Sequence, residues 1–164
     1  MLHLMVGLPG SGKTTRAKLL AAETGALRLT PDEWQLRLFG NDVHHPDHDR
    51  RHDEVEALMW EIAETLLARG TDVILDFGFW SRAERASFAA RAKALGASCA
   101  IHFEHVDLTE LERRVTLRNA TAGGNHYVLP LEFLRQWAGT FEPPDEDELA
   151  GKFSPPAPSS SDSH

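Results

Sequence analysis

The sequence lacks several features that define large protein classes. Its 164 residues include one cysteine, Cys99, which excludes an internal disulfide framework and a zinc site built on cysteine ligands. It has no apolar run of about 18 residues, the length that a membrane-spanning helix needs. The first residues carry no basic leader, and Leu2–Val6 predicts a strand rather than a signal peptide. These absences predict a cytoplasmic protein with no membrane segment.

Basic residues are also few. Seventeen Lys and Arg stand against 25 Asp and Glu, which gives a formal net charge of −8. An acidic chain lacks the broad basic surface of most nucleic-acid-binding proteins, so a nucleic-acid partner is possible but disfavoured. The length and the 41% apolar content predict one globular domain over residues 1–150. The Pro- and Ser-rich residues 151–164 should be a disordered tail, because they offer little apolar surface to bury.

Strand and helix patterns alternate along the chain. Short apolar runs predict strands at 2–6, 26–30, 73–76 and 98–106. Helical spacing and end signals predict helices at 13–24, 32–39, 53–69, 82–95, 107–118 and 129–140. This alternation predicts an α/β protein with a parallel sheet of four or five strands between two layers of helices.

The segment Gly7–Thr14 matches the phosphate-loop pattern G-x-x-x-x-G-K-[ST] at every fixed position, between a predicted strand and a predicted helix. The glycines let backbone N–H groups surround a phosphate, and the following helix N-terminus adds positive charge. Lys13 would reach the β- and γ-phosphates, and the Thr14 hydroxyl would bind Mg²⁺. The residues predicted to bind ATP here are Gly7, Leu8, Pro9, Gly10, Ser11, Gly12, Lys13, Thr14 and Thr15.

Other nucleotide-binding classes fit poorly. None of the lysines follows an asparagine, so the N-K-x-D motif by which GTPases bind guanine is absent. The triplet Asp76-Phe77-Gly78 is found in protein kinases, but no H-R-D catalytic loop precedes it here. A small phosphotransferase is the class that remains.

Four features together resemble the zeta-toxin, polynucleotide-kinase and chloramphenicol-phosphotransferase group of P-loop kinases, an AAA_33-type ATP-binding family. They are Val6–Thr15, the acid pair Asp32-Glu33 after the second strand, Val73–Asp76, and the late arginine helix, and the resemblance covers roughly residues 2–142. It implies a nucleoside-kinase-like P-loop NTPase fold, ATP and Mg²⁺ as cofactors, and Asp32 as the general base that faces an acceptor hydroxyl.

One position departs from the polynucleotide kinases. These enzymes typically carry an arginine three residues after the acid, to hold a substrate phosphate. Here that position is Gln35, and Arg37 comes two residues later. The departure counts against a polynucleotide acceptor. The alternative for Asp32 itself is that it only caps its helix.

Arg114 and Arg118 lie four apart on one predicted helix, just before Gly123-Gly124. We interpret them as lid arginines that bind ATP and neutralise the charge of the transferring phosphate. The alternative is a solvated basic helix face. Asp76 ends an apolar strand, where α/β sheets bind ligands, and is predicted to bind Mg²⁺ or the acceptor. The alternative is an acid that caps the next turn.

The acceptor site should lie near the second helix and the third strand. Asp32, Trp34, Arg37, Asp76, Phe79 and Trp80 are predicted to line it. Phe79 and Trp80 would serve equally well as core residues. His44, His48 and His52 have helical spacing that suggests a metal site, but Pro46 disrupts such a helix, so a polar loop over 41–51 is favoured.

The sequence thus predicts a Mg-ATP-dependent kinase that transfers the γ-phosphate to a hydroxyl of a small molecule, such as a nucleoside, a sugar or an antibiotic-like compound. Asp32, Lys13, Arg118 and Arg114 would be catalytic, with Thr14 and Asp76 at the metal. One alternative is a polynucleotide 5′-hydroxyl kinase. Another is a regulatory or toxin-type protein that binds a partner when nucleotide is bound.

Overall fold

A computed structural model describes residues 1–41, 43–121 and 128–153. Its four strands are β1 (Leu2–Val6), β2 (Leu27–Leu29), β3 (Val73–Gly78) and β4 (Cys99–Phe103). They form one parallel sheet in the order β2-β3-β1-β4. This confirms the predicted α/β fold, with four strands in the described part of the chain.

Seven helices surround this sheet in the described ranges. They are α1 (Lys13–Thr24), α2 (Pro31–Phe39), α3 (His48–Ala68), α4 (Arg82–Ala94), α5 (Leu108–Ala120), α6 (Leu131–Thr140) and α7 (Glu146–Leu149). None of them, within those ranges, is long and apolar enough to cross a membrane. Part of the predicted lid loop, residues 122–127, and the tail from residue 154 lie outside the described residues.

Strand alternation separates two cores. Met5 and Ile74 pack on one face of the sheet against α1, where Ala17 and Leu20 are buried. The opposite face carries the larger core, in which side chains of β1 and β3 meet α3 and α4. A third cluster joins α5 and α6 to Leu8 of the phosphate loop. The sheet therefore lies between two helical layers, as the alternating apolar pattern predicts.

The sheet topology places the predicted nucleotide site at the carboxyl ends of β1 and β3, which are neighbouring strands. Gly7 N–H donates to the Gly78 carbonyl at 2.9 Å, so the loops after the two strands start side by side. The chain leaves β1 toward β2 on one side and later crosses to β4 on the other. This switch of direction opens a crevice at the strand ends, as in other open α/β sheets.

Several predicted boundaries were wrong. Helix α3 begins at His48, not at residue 53, so the predicted loop over 41–51 ends sooner. Its first turns are polar and carry no apolar repeat; an ion pair between Arg50 and Glu54 at 2.7 Å supports them instead. Strand β4 ends at Phe103 rather than 106, and β2 covers only 27–29 of the predicted 26–30.

Helix α7 was not predicted. Its acidic sequence forms a capping box, in which Asp145 accepts from Glu148 N–H and Glu148 accepts from Asp145 N–H. Glu148 is buried and accepts two hydrogen bonds from the buried Arg85 of α4, at 2.8 and 3.1 Å. Arg85 also donates to the carbonyls of Phe79 and Glu142. The C-terminal segment is therefore attached to α4 by a buried ion pair.

Removing one partner of this pair should destabilise the fold. Glu148→Gln leaves the Arg85 charge buried and unneutralised, so we expect the free energy of unfolding to fall by about 3 kcal/mol. Chemical denaturation followed by circular dichroism measures it. The control is Glu146→Gln, an exposed position on the same short helix, which should change stability by less than about 0.5 kcal/mol. Equal losses in the two variants would contradict a special role for the buried pair.

Candidate active site

The phosphate loop, residues 7–14, connects β1 to α1 and requires glycine. Gly7, Gly10 and Gly12 have φ values of 142°, 87° and 100°. A Cβ at Gly7 would lie 2.7 Å from the Ser11 hydroxyl, and a residue with a side chain would be strained at this positive φ. Lys13 Nζ donates to the Leu8 carbonyl at 3.1 Å and bridges the loop. Among the described residues no side chain caps the N-terminus of α1, which leaves its first N–H groups for an anion.

The loop forms one end of a cleft of about 820 Å³. We call this the phosphate end; its lining includes Gly10, Gly12, Lys13, Thr14, Thr15, Arg114 and Arg118. Helices α2, α3 and α4 contribute another part of the lining, which we call the acceptor end. Its polar lining residues are Asp32, Glu33, His48, Asp49, His52, Asp53, Glu56 and Glu84. Burial lowers the pKa of Lys13, an effect that the carboxylates of Asp76 and Asp32 oppose.

Asp32 lies in the first turn of α2 and points toward α3. Thr30 occupies the N-cap position, so Asp32 is not the residue at the cap. Its Oδ1 atom is 3.5 Å from His52 Nε2. Enclosure by the cleft walls raises the pKa of this carboxyl, but 71% of the side chain is exposed. The hydrogen bond and charge of His52 outweigh that effect, with help from Lys13 and Arg118, so the pKa lies below its usual value.

Asp76 is buried at the end of β3. Burial raises its pKa, while Lys13, Thr14 and Arg28 oppose the rise. Its Oδ2 accepts from Arg28 at 3.2 Å, whereas Oδ1 has no hydrogen-bond partner among the described residues. A buried carboxylate oxygen beside the Thr14 hydroxyl provides the hard ligands that Mg²⁺ prefers, with water and phosphate oxygens completing the shell. Thr14 and Asp76 therefore fit a magnesium ion.

Helix α5 lies against the phosphate loop and brings arginines to it. Arg114 donates to the Gly10 carbonyl at 3.3 Å and to Glu110 at 2.7 Å. Arg118 also lines the cleft, where burial lowers its pKa and the charge of Asp32 opposes this effect. Arg113 instead pairs with Glu110. Hydrogen bonds from Arg113 and Arg114 lower the pKa of the Glu110 carboxyl to about 2. Two of the three arginines thus reach the cleft.

Aromatic side chains line the cleft beside Asp76. Phe79 has a φ of 47° and is buried, with its ring stacked on Phe77 at 5.5 Å. Trp80 packs on Trp137 of α6 at 5.0 Å. Phe79 belongs to the main core and also lines the cleft, so its two predicted roles coincide.

The structure does not bring every predicted residue to the cleft. Trp34 and Arg37 lie on the exposed face of α2, outside the cleft lining. His44 and His45 are also absent from the lining, whereas His48 and His52 belong to it. The described residues contain no group of three or more His, Cys, Asp or Glu side chains that could hold a metal ion.

Sequence reasoning missed three residues of the acceptor end: His52 as a partner of Asp32, and the acids Glu56 and Glu84. His52 and Glu56 lie four apart on α3, so their spacing was available as a signal. The polar face on which they lie, however, looks like a solvated helix surface until α2 is placed against it. Arg28, which contacts both Glu33 and Asp76, was also missed.

Comparison with known proteins identifies the family. The chain matches the AAA_33 family model, an AAA domain, over residues 2–144. The chain belongs to this family. No curated protein matches it. The matched range contains the phosphate loop and all the residues that line the cleft.

Solved structures support the fold. One chain of the Pnkp1/Rnl/Hen1 RNA repair complex is 20% identical with a TM-score of 0.68, over 93% of this chain and 46% of that one. Kti12 from Chaetomium thermophilum, in complex with ADP-AlF3, is 20% identical with a TM-score of 0.66, over 88% and 82%. A gluconokinase from Sinorhizobium meliloti is 20% identical with a TM-score of 0.59, over 88% and 77%. At these identities the likeness shows the fold alone. This AAA_33 chain spans less than half of the RNA repair chain.

Glu56 should make stability depend on pH. Desolvation raises its pKa to about 7, while His52 lowers it, against a usual value of 4.5. Between these values the folded protein keeps a proton that the unfolded chain releases, so stability falls as pH rises from about 4.5 to about 7 and then levels off. Glu56→Gln stays neutral. At pH 8 we expect its free energy of unfolding to exceed that of the wild type by about 1–2 kcal/mol, after discounting for the partly exposed side chain.

Urea denaturation at pH 5 and pH 8 measures this difference. The gain should be much smaller at pH 5, because the folded wild type keeps Glu56 protonated there and the unfolded chain, with its usual value of 4.5, has released the proton only in part. Glu64→Gln, an exposed position on the same helix, is the control and should show no gain at either pH. No stabilisation of Glu56→Gln at pH 8 would show that the carboxyl is not desolvated.

Proposed function

We propose that this protein is an ATP-dependent kinase that phosphorylates a hydroxyl group of a small molecule. The observation that carries the proposal is the division of one cleft into two chemically different ends. The phosphate loop, Lys13, Arg114 and Arg118 line one part of it, and the Asp32 carboxylate, whose pKa Lys13 and Arg118 help to lower, lines another. This is the arrangement that in-line transfer of a phosphoryl group requires.

Each end has a defined task in this proposal. The loop N–H groups and Lys13 bind the β- and γ-phosphates of ATP, and Arg118 and Arg114 neutralise the charge on the transferring group. Thr14 and Asp76 would hold Mg²⁺, which supplies further charge neutralisation on the phosphates when it is bound. Asp32 accepts the hydroxyl proton as the acceptor oxygen bonds to the γ-phosphorus and the bond to ADP breaks.

The acceptor end favours a positively charged substrate. Six carboxyl groups line it: Asp32, Glu33, Asp49, Asp53, Glu56 and Glu84, of which Glu56, with its pKa raised to about 7, is only partly ionised at neutral pH. Glu33 is balanced by Arg28 at 2.7 Å and Lys18 at 4.0 Å, so the excess negative charge lies on α3 and α4. Carboxylates beside aromatic rings attract ammonium groups and repel phosphates. We therefore propose a hydroxyl compound that carries amino groups, of the aminoglycoside type, over a polynucleotide.

Gln35 supports the same conclusion about the acceptor. At the position where polynucleotide kinases have an arginine, Gln35 is fully buried and donates to the backbone carbonyl of His48 at 3.1 Å. It joins α2 to α3 and does not face the cleft. The residue therefore has a packing role in place of phosphate binding.

An ADP-release screen tests the proposed function. The arms are amine-bearing aminoglycosides, uncharged sugars and nucleosides, phenicol-type antibiotics, and an oligonucleotide with a 5′-hydroxyl. We expect aminoglycosides to give the highest kcat/KM, and their KM to rise with salt, because screening weakens exposed charge pairs. Lys13→Ala is the control for nucleotide-dependent turnover. Transfer to the oligonucleotide alone would establish the polynucleotide alternative, and turnover no faster than hydrolysis with every compound would contradict kinase function.

Glu84→Gln separates charge from shape within this screen. It removes one negative charge from the acceptor end at nearly constant volume. The KM for amine-bearing acceptors should rise several-fold, and the KM for uncharged acceptors should not change. Equal effects on both classes would contradict an electrostatic preference.

Asp32→Asn tests the base. The amide cannot accept the hydroxyl proton, so kcat should fall by about 10² to 10⁴. The KM for ATP should be nearly unchanged, because the phosphates are bound by the loop, and stability should change by less than about 1 kcal/mol because the side chain is exposed. Asp47→Asn, an acid that precedes α3 outside the cleft, is the matched control. Near-wild-type kcat in a folded Asp32→Asn protein would exclude Asp32 as the base.

A further inference from the structure

We propose that His52 is a positioning residue for Asp32: it bridges Asp32 and Glu56 and fixes the carboxylate that receives the acceptor proton. The inference rests on the proposed function and extends it to a residue outside the phosphate loop and the lid. It is carried by the geometry between α2 and α3.

His52 has a carboxyl group at each ring nitrogen. Nε2 lies 3.5 Å from Asp32 Oδ1, across the gap between the helices, and Nδ1 lies 3.6 Å from Glu56 Oε1, one turn later on α3. A protonated imidazole has two N–H donors in its ring plane, which suits a carboxyl oxygen on either side. With Oδ1 engaged in this way, Oδ2 is the Asp32 oxygen that would accept the hydroxyl proton.

A second pair of residues fixes the spacing of the two helices. Gln35 lies one turn after Asp32 on α2, and His48 lies one turn before His52 on α3. Gln35 Nε2 is 3.0 Å from His48 Nδ1 and donates to the His48 carbonyl at 3.1 Å. The two contacts form parallel bridges at matching helical intervals. The position of His52 relative to Asp32 is therefore held by a buried amide rather than by the ion pair alone.

The surrounding charges favour a protonated His52. The charged and titratable groups that face it are Asp32 on α2, His48, Asp53 and Glu56 on α3, and Glu84 on α4. Burial lowers its pKa, but the carboxylates of Asp32, Glu56 and Asp53 outweigh this effect and raise it above the usual value. Lys13 and Arg118 face Asp32 from α1 and α5 and share in keeping it ionised.

This charge pattern has a kinetic consequence. A cation beside Asp32 keeps its carboxylate ionised at lower pH. Without His52 the carboxylate should bind a proton at higher pH and also lose its fixed orientation. In His52→Gln we therefore expect the acidic limb of the kcat–pH profile to move up by about one pH unit, with kcat reduced at least tenfold and the KM for ATP nearly unchanged.

His45→Gln is the matched control, since His45 lies before the same helix and outside the cleft lining. It should leave the profile in place. His52→Lys tests rescue of the charge: it should return the acidic limb toward its wild-type position, although kcat stays low because the planar donor pair is lost. An unshifted acidic limb in a folded His52→Gln protein would overturn the positioning role.

An NMR arm does not depend on activity. Imidazole titration in the wild type and in Asp32→Asn gives the His52 pKa directly. Loss of the Asp32 charge should lower it by about one unit. An unaltered His52 pKa would overturn the coupling. If the wild type transfers no phosphate to any acceptor, the proposed function and the positioning role both fail, while this arm still decides whether Asp32 and His52 interact.

Discussion

The parallel pairing of β1 with β3 is the constraint on which the functional cleft depends. It places the phosphate loop directly beside Asp76, and the hydrogen bond from Gly7 to Gly78 joins the two loops where they leave the sheet. A Cβ on either glycine would meet a neighbouring side chain within 3 Å. Both glycines also have a positive φ, so the two positions favour glycine, and the strand pairing brings the Asp76 carboxylate beside the phosphate loop.

The charges of the cleft follow from this arrangement. Helices α1 and α5 bring N–H groups and arginines to one end, and the start of α2 with the polar faces of α3 and α4 brings carboxylates to the other. Opposite charges that face each other across an open cleft would attract and close it if nothing held the walls apart. The apolar core between α3 and the sheet holds the acceptor end in place, and the contact between Gln35 and His48 joins α2 to α3 within that end. The resulting electric field would orient a substrate whose positive charge is complementary to the carboxylates of the acceptor end.

What could be predicted from the sequence was local. The phosphate loop is a contiguous pattern, and Arg114 and Arg118 are one helical turn apart, so their placement followed from the chain itself. Trp34 shows where this reasoning fails. It is two residues from Asp32, which on a helix places it on a different face, whereas Gln35 at three residues shares the face that meets α3. Proximity in sequence to a functional acid was a poor guide; helical position was the better one.

The remaining misses depend on contacts between distant segments. His52 faces Asp32 only once α3 lies against α2, and the acids of α7 acquire a structural role only when one of them meets Arg85, 63 residues earlier. Charged residues in such contacts look like solvent-exposed residues in a single sequence. From the composition, the C-terminal acids were interpreted only as a source of negative charge. The structure shows that they form a capped helix in which one of them, Glu148, is buried.

This buried pair also bears on the acceptor end. Phe79 has a left-handed backbone conformation, which costs a non-glycine residue about 1–3 kcal/mol and persists only where surrounding structure imposes it. Arg85 donates to the Phe79 carbonyl at 3.1 Å and is itself fixed by Glu148. The aromatic wall of the cleft is therefore held in a strained conformation by an ion pair outside the cleft lining. Arg85 takes part in both the contact with Phe79 and the ion pair with Glu148. The position of Phe79 in the cleft therefore depends on the attachment of α7 to α4.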